Sequence, residues 1–357
     1  MSSTTPARTS ALPRGVLVLV GLAAATIVIA GLRGIADIFA PLFLALILTV
    51  LAHPLRRWLG KKMPSWVAST VCIAVVYIGV VLFALAVLVS VARFATLLPT
   101  YADEFTSRLD DLTKWLKDVG VDQAQIEKVG SSFDIGQLSG FIADLLGELM
   151  GLVSNLFFIL ALVLFMTVDG TSFPRQLERA RAAKPAIIEG LEDFAHGTRR
   201  YLGVATVFGL IVAVLDTAAL VILGVPLALT WGLLAFITNY IPNIGFVIGL
   251  IPPAILALLE GGPSLMLAVI AVYCVLNVVI QSVIQPKVVG DAVGLSTTLS
   301  FFSLIFWTWV IGPLGAILAI PLTLFAKALL VDADPDTKWL RPLISNQDEP
   351  DAEAPVT

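Results

Sequence analysis

Charge is what this sequence has least of: 13% of its 357 residues are Asp, Glu, Lys or Arg, while 58% are hydrophobic. That is about half the charge of an ordinary soluble domain. The stretch 201–331 carries only Asp216, Glu260, Lys287, Asp291 and Lys327, too few to coat a water-facing surface, so the expected solvent is lipid. Cysteine and histidine are also scarce. Cys72 and Cys274 sit in separate apolar runs and support neither a disulfide framework nor a thiolate metal site. His53 and His196 are too far apart for zinc or iron, so no metal is expected. A net charge of -4 offers no nucleic-acid surface. The patterns HExxH, GxSxG, GxGD and the GxxxxGKS/T phosphate loop are missing. With them go the residues for metal-assisted hydrolysis, an activated serine, intramembrane proteolysis and ATP hydrolysis. Neither an enzyme nor a cofactor is expected.

What the sequence does have is long apolar runs. Six are of ordinary spanning length: Val16–Leu32, Ala36–Ala52, Trp66–Ala92, Gly151–Val168, Leu202–Leu223 and Ser264–Ile284, each near the roughly 20 residues a helix needs to cross the hydrocarbon. The first follows Arg8 and Arg14 like a secretory signal, but it is long, lacks a small-x-small cleavage site and is followed at once by a second run. It reads as half of a retained helical hairpin.

Two further runs are too long for one span. Leu227–Leu259 has 33 residues and Thr297–Leu330 has 34, each about 50 Å as a straight helix against a core of roughly 30 Å. Both are interrupted by helix-spoiling residues, Asn239-Tyr240-Ile241-Pro242-Asn243-Ile244-Gly245 in the first and Gly312-Pro313-Leu314-Gly315 in the second. The arms left by those cuts, about 21 to 24 Å long, suit a segment that dips into the membrane and returns. The fold expected is therefore an all-α polytopic membrane protein, with six transmembrane helices, two re-entrant hairpins (227–259 and 297–330) and amphipathic extramembrane helices. Pairs of full spans in place of the hairpins would leave every loop on the same side.

Basic residues set the orientation. Arg56, Arg57, Lys61 and Lys62, and then Arg175, Arg179, Arg181, Lys184, Arg199 and Arg200, mark cytoplasmic segments. The expected organisation is a cytoplasmic tail (1–15), helices 1–3 (16–92), an extracytoplasmic amphipathic segment (93–150), helix 4 (151–168), a cytoplasmic helical segment (169–200), a transport core (201–331) and a disordered acidic cytoplasmic tail (332–357). On this count the hairpins enter from opposite faces with tips near mid-depth, the arrangement by which secondary transporters build a site.

The stretch Trp231-Gly-Leu-Leu-Ala-Phe-Ile-Thr-Asn-Tyr-Ile-Pro-Asn-Ile-Gly245 comes first in a series of spaced motifs. It is followed by Ile251-Pro-Pro253, Gln285-Pro-Lys-Val-Val-Gly290, Gly294-Leu-Ser-Thr297, Leu304-Ile-Phe-Trp307, Gly312-Pro-Leu-Gly315 and Pro321-Leu-Thr323. Together these closely resemble the autoinducer-2 exporter family, as does the Val168-Asp169-Gly170 end of the fourth span. The resemblance implies a multi-pass transporter of the bacterial inner membrane. In the best-known case such a protein moves the quorum-sensing signal autoinducer-2, a small polyhydroxylated furanone-type molecule, and other relatives exchange sodium for protons. It also implies a homo-oligomer, with five-fold symmetry.

A neutral polyol needs hydrogen-bonding groups inside the membrane. Asn239 and Asn243 flank Pro242, where a missing N–H frees a carbonyl, and Asn277, Gln281 and Gln285 recur every four residues on one helix face. The second set is read equally as cargo contacts or as hydrogen bonds between helices. Pro242, Gly245, Gly312, Pro313 and Gly315 complete the expected path, and Gly249, Pro252, Gly290, Gly294 and Pro321 are hinge or close-packing positions. Asp216 is the acid deepest within an ordinary span. A carboxylate there is expensive unless protonated, paired or wet, which makes it the candidate for ion coupling. A passive channel is the rival from another class, because broken helices also line pores; a saturable, gradient-dependent flux separates the two.

Overall fold

The computed structural model describes residues 13–97, 107, 135–170, 173–242, 244–285, 287, 294–334 and 337, and among these every regular element is a helix. The helices are α1 (Arg14–Gly34), α2 (Ala36–Gly60), α3 (Ser65–Leu97), α4 (Ile135–Asp169), α5 (Phe173–Ala183), α6 (Pro185–Ile222), α7 (Ala228–Thr238), α8 (Gly245–Asn277), α9 (Thr297–Ile311) and α10 (Pro313–Lys327). Wider π-helical turns continue α8 over Val278–Ile284 and α10 over Ala328–Asp332.

Five helical stretches among the described residues are long and apolar enough to cross a membrane: Ala36–Gly60, Ser65–Ser90, Pro185–Ile222, Gly245–Ile284 and Pro313–Asp332. Val18–Gly34 and Asn155–Asp169 are apolar but shorter. Large side chains such as Trp66, Ile78, Phe157, Ile222 and Leu330 lie on the outside, the inverse of a soluble protein and the pattern expected where lipid tails are the solvent. Residues 98–106 and 108–134 of the expected amphipathic segment, the acidic tail beyond 337, Asn243 and Gly290 fall outside the described residues.

α2, α3 and α4 pack together around Ala45, Ile159 and Val163, with polar ties that include the Cys72 thiol donating to the Ala52 carbonyl at 3.4 Å. Tyr77 donates its hydroxyl to the Leu160 carbonyl, and Arg56 Nε donates to Ser69 Oγ at 3.1 Å. α6 is the central strut. It is longer than any membrane crossing requires, and it packs on α2, α5, α7, α8 and α10. Its first half meets the end of α10 so closely that a Cβ added at Gly190 would lie 3.0 Å from the Ala328 carbonyl. Beside that contact Lys327 and the buried Asp332 pair at 3.1 Å.

Both long apolar runs fold back on themselves. In the first, α7 and the start of α8 pack against each other across the Asn239–Ile244 turn. Gly262, at φ 72° and ψ -168°, then breaks α8, so that Ala257 before the break and Val269 after it share one apolar cluster. In the second, α9 and α10 pack against each other around Gly312, at φ 72° and ψ -156°. The two breaks are alike: a glycine in the positive-φ region, which other residues reach only with strain, followed by Pro263 or Pro313, which forces extended ψ on the residue before it. The Glu260-Gly261-Gly262-Pro263 boundary is thus a sharp helix break of the same construction as Gly312-Pro313. The largest apolar cluster joins Phe43, Phe194, Leu202, Leu304, Trp307, Ile311 and Leu322, and Tyr240, Ile241, Ile244 and Leu314 pack on it. The tips of both folded-back segments therefore belong to one core.

Candidate functional site

The site lies where α7 runs antiparallel along α6. Gly232 meets the Ala213 carbonyl and Thr217, and seven residues on, Asn239 Nδ2 donates to the Ala205 carbonyl at 2.8 Å. Gly209 makes room for that contact, since a Cβ there would stand 2.8 Å from Asn239 Nδ2. At the tip, Tyr201 donates to the Tyr240 carbonyl at 2.8 Å, and the Tyr240 hydroxyl lies 2.8 Å from Thr206 Oγ1. Thr206 spends its own proton on the Leu202 carbonyl, so Tyr240 is the donor to Thr206.

Four carbonyls at the Pro242 bend are engaged by neighbouring donors. Thr238 O accepts from Ile241 N, Ile241 O from Gly245 N, Pro242 O from Ile244 N, and Tyr240 O from Tyr201. The carbonyls of Thr238, Tyr240, Ile241 and Pro242 are therefore all engaged, and the expectation that the proline frees one of them for a ligand does not hold. The tip stands about half-way along α6. It lies beside Ala205 and Thr206, at the Leu202 end of the apolar run that continues to Leu223.

The carboxamides on α8 meet this tip. Gln281 Nε2 donates to Asn239 Oδ1 at 3.1 Å and to Asn277 Oδ1 at 2.9 Å, and Asn277 Nδ2 donates to the Tyr273 carbonyl of its own helix. Of the two readings of this stripe, hydrogen bonds between helices are what the structure shows for Gln281. Gln285, one turn further along, lines no part of the site.

A small cavity of about 10 Å³, measured at the centre of a water-sized sphere, has room for about one water. Val212 and Asp216 of α6, Ala235, Thr238 and Asn239 at the end of α7, and Phe246, Gly249, Tyr273, Asn277 and Gln281 of α8 line it. Asp216 is fully buried and Tyr273 is 1% exposed. Both Asp216 carboxyl oxygens and the Tyr273 hydroxyl lack hydrogen-bond partners. Native proteins rarely leave buried polar atoms in that condition.

Gly245 and Gly249 act by close approach. A Cβ at Gly245 would run into the Thr238 carbonyl, and one at Gly249 would lie 2.9 Å from Thr238 Oγ1. Gly315 does the same in the second fold-back, against the Trp307 carbonyl. Pro252 sits inside α8 ahead of its Gly262 break, Pro321 sits inside α10, and Gly294, at φ 62°, lies in the turn before α9. The structure thus brings Asp216, Asn239, Gly249, Asn277 and Gln281 to one cavity, and buries Gly315 in the neighbouring fold-back, while Gly312 is half-buried and Pro313 exposed. Thr238, Tyr273, Tyr201 and Thr206 were not legible as site residues: Tyr273 and Thr206 stand alone in apolar runs, and nothing in the sequence says which helix Thr238 or Tyr201 meets. Gly209 opposite Asn239 gave no signal either.

Residues 16–333 match the model of the AI-2E family transporters. The chain is 30% identical over 317 residues to the AI-2 transport protein TqsA of Escherichia coli K12, covering 88% of this chain and 92% of that one. It is 31% identical over 316 residues to the putative transport protein YhhT of the same organism, covering 88% and 90%. A putative transport protein of Haemophilus influenzae is 31% identical over 327 residues, covering 89% and 93%. The spaced motifs, the membrane-length helices and a match across nearly the whole chain agree: this protein is a multi-pass membrane protein of the AI-2E transporter family.

Proposed function

We propose that the protein is a secondary carrier exporting a small polar metabolite, with autoinducer-2 or a similar quorum-sensing signal as its cargo. The observation that carries this reading is the Asn239–Gln281–Asn277 cluster, which places uncharged donors and acceptors beside the tip of a broken helix and against a long membrane-length helix. Broken helices facing a shared core are how carriers expose a site to each side in turn. In this reading α7 with the first part of α8, and α9 with α10, are re-entrant hairpins entering from opposite faces of the inner membrane. Both termini are cytoplasmic, and the protein works as a homo-oligomer, a pentamer by preference. Asn239, Asn277 and Gln281 contact cargo when the carboxamide bonds that close the site exchange for bonds to a ligand. Asn243 and Gln285 lie along its route. The residues for catalysis are lacking, and the driving force is an ion gradient or the cargo gradient itself.

The unpartnered Asp216 favours a second reading, cation/proton exchange by the same protein. Uptake of labelled autoinducer-2 into inverted vesicles, with sodium and proton fluxes followed in parallel, tests both. Saturable uptake above vesicles lacking the protein is expected. Cation exchange without autoinducer-2 uptake would replace the cargo reading with the second one, and flux at channel rates would overturn the carrier.

A further inference from the structure

The polar atoms that face the Asp216 cavity differ sharply in what they are free to do. The side-chain N–H donors of Asn239, Asn277 and Gln281 have acceptors on Ala205, Tyr273, Asn239 and Asn277. Thr238 turns its hydroxyl proton to the Ala235 carbonyl at 3.3 Å. Both oxygens of Asp216 and the Tyr273 hydroxyl have no partner, and around them stand Thr238 Oγ1 and two carboxamide oxygens, Asn239 Oδ1 and Asn277 Oδ1, which each accept one bond from Gln281 and keep a second lone pair. An oxygen-rich pocket around a buried carboxyl, with the Tyr273 hydroxyl as the donor left without an acceptor, repels an anion and satisfies poorly a neutral ligand that needs several donors. It suits a hard cation, which takes oxygen ligands and pairs the buried charge.

Charge and size narrow the choice. One carboxylate balances one positive charge, and among the described residues no group of three or more acidic, histidine or cysteine side chains gathers to balance two. A space of one water excludes a hydrated ion and any polyol. We propose that Asp216, Tyr273, Thr238 and Asn277 form a binding site for a single dehydrated monovalent cation, with sodium as the ion to test. The site deepens the carrier reading by naming where a coupling ion sits. Its ligands come from three elements, Asp216 from α6, Thr238 from the end of α7, and Tyr273 and Asn277 from α8 beyond the Gly262 break. An ion held by all three favours the arrangement in which the first hairpin is docked, because a ligand stabilises the state that binds it.

The test uses the purified full-length protein in nanodiscs and needs no transport. Binding of radioactive sodium is expected to saturate near one ion per chain and to be displaced by unlabelled sodium chloride but not by choline chloride. The melting temperature is expected to rise in sodium chloride over choline chloride at equal ionic strength. Asp216→Asn should weaken sodium binding by about tenfold or more, and Tyr273→Phe and Thr238→Val by about two- to tenfold each. Wild-type protein that binds no sodium and melts identically in both salts overturns the site, as does binding unchanged in Tyr273→Phe or in a folded Asp216→Asn. If Asp216→Asn fails to fold, the wild-type isotherm and Tyr273→Phe still decide. Sodium binding without autoinducer-2 uptake would leave the site standing and remove the cargo reading, and uptake without sodium binding would do the reverse.

Discussion

The two folded-back segments begin from the same sequence chemistry and end as different objects. The second has arms of equal length, 15 residues each in α9 and α10. Its turn is a single glycine, and its interior is a dense apolar cluster tied by one polar contact, Trp307 Nε1 donating to Thr323 Oγ1 at 2.9 Å. The first has a short arm of 11 residues in α7, a longer returning arm in α8 and a turn of several residues between them. Carboxamides and tyrosines hold its tip to α6 and to the far part of α8. A helix break thus sets where a chain turns, and the residues on either side decide whether the turn becomes a packed wedge or a polar seat. The wedge is built to keep its shape. The seat is closed by bonds that a polar ligand can replace.

The largest effects are expected where the arms touch backbone to backbone. Gly245→Ala and Gly315→Ala each push a methyl into a carbonyl, of Thr238 and of Trp307, that helix geometry holds in place. Overpacking of this kind costs about 1–3 kcal/mol. A clear loss of melting temperature is expected in both variants, by size-exclusion after heating. If the comparison between the segments is right, Gly315→Ala loses folded protein and transport together, because the wedge yields as a unit. Gly245→Ala retains more folded protein than transport. Equal ratios in the two variants would erase the distinction. Gly312→Ala meets open space but strains a positive φ, for about 1–2 kcal/mol.

A smaller and more specific effect belongs to Asn239, which holds α7 to both α6 and α8. Asn239→Ala removes the bond to Ala205 and the one from Gln281, each worth about 0.5–1.5 kcal/mol. Transport is expected to fall more than stability does. A double-mutant cycle with Gln281→Ala should show a coupling of the same size, which additive losses would contradict.

Much of this fold could be read from residue order alone. Pro242 and Gly312-Pro313 marked both breaks because proline cannot continue a helix and glycine permits the positive φ that a sharp stop needs. Gly249 was legible as a hinge or close-packing position, and Gly245 and Gly315 as glycines of the expected path. The site was less so. Asn239 and Gln281 stood out as polar residues in apolar runs, but their pairing spans 42 residues of sequence, and spacing within one helix says nothing about which neighbour it meets. Asp216 was conspicuous and Tyr273 was not, because tyrosine is ordinary in a membrane helix until its hydroxyl is found buried without a partner. The tip's satisfied carbonyls were equally hidden, since they depend on a tight turn and on Tyr201, on another helix.

The smallest effect tests the wedge itself. Trp307 fills the core with its ring and spends its one N–H on Thr323, across from α9 to α10. Trp307→Phe keeps most of the apolar area but loses the bond and leaves Thr323 to find another partner, and Thr323→Val removes the other end while filling its space. Each single change should cost about 0.5–1.5 kcal/mol, with transport falling no further than the folded fraction. The pair together should cost less than the sum, because the second change removes a group that the first had already stranded. A selective loss of transport in Trp307→Phe, with melting unchanged, would mean that the second segment also contributes to the moving polar machinery. Its likeness to the first would then extend beyond the break.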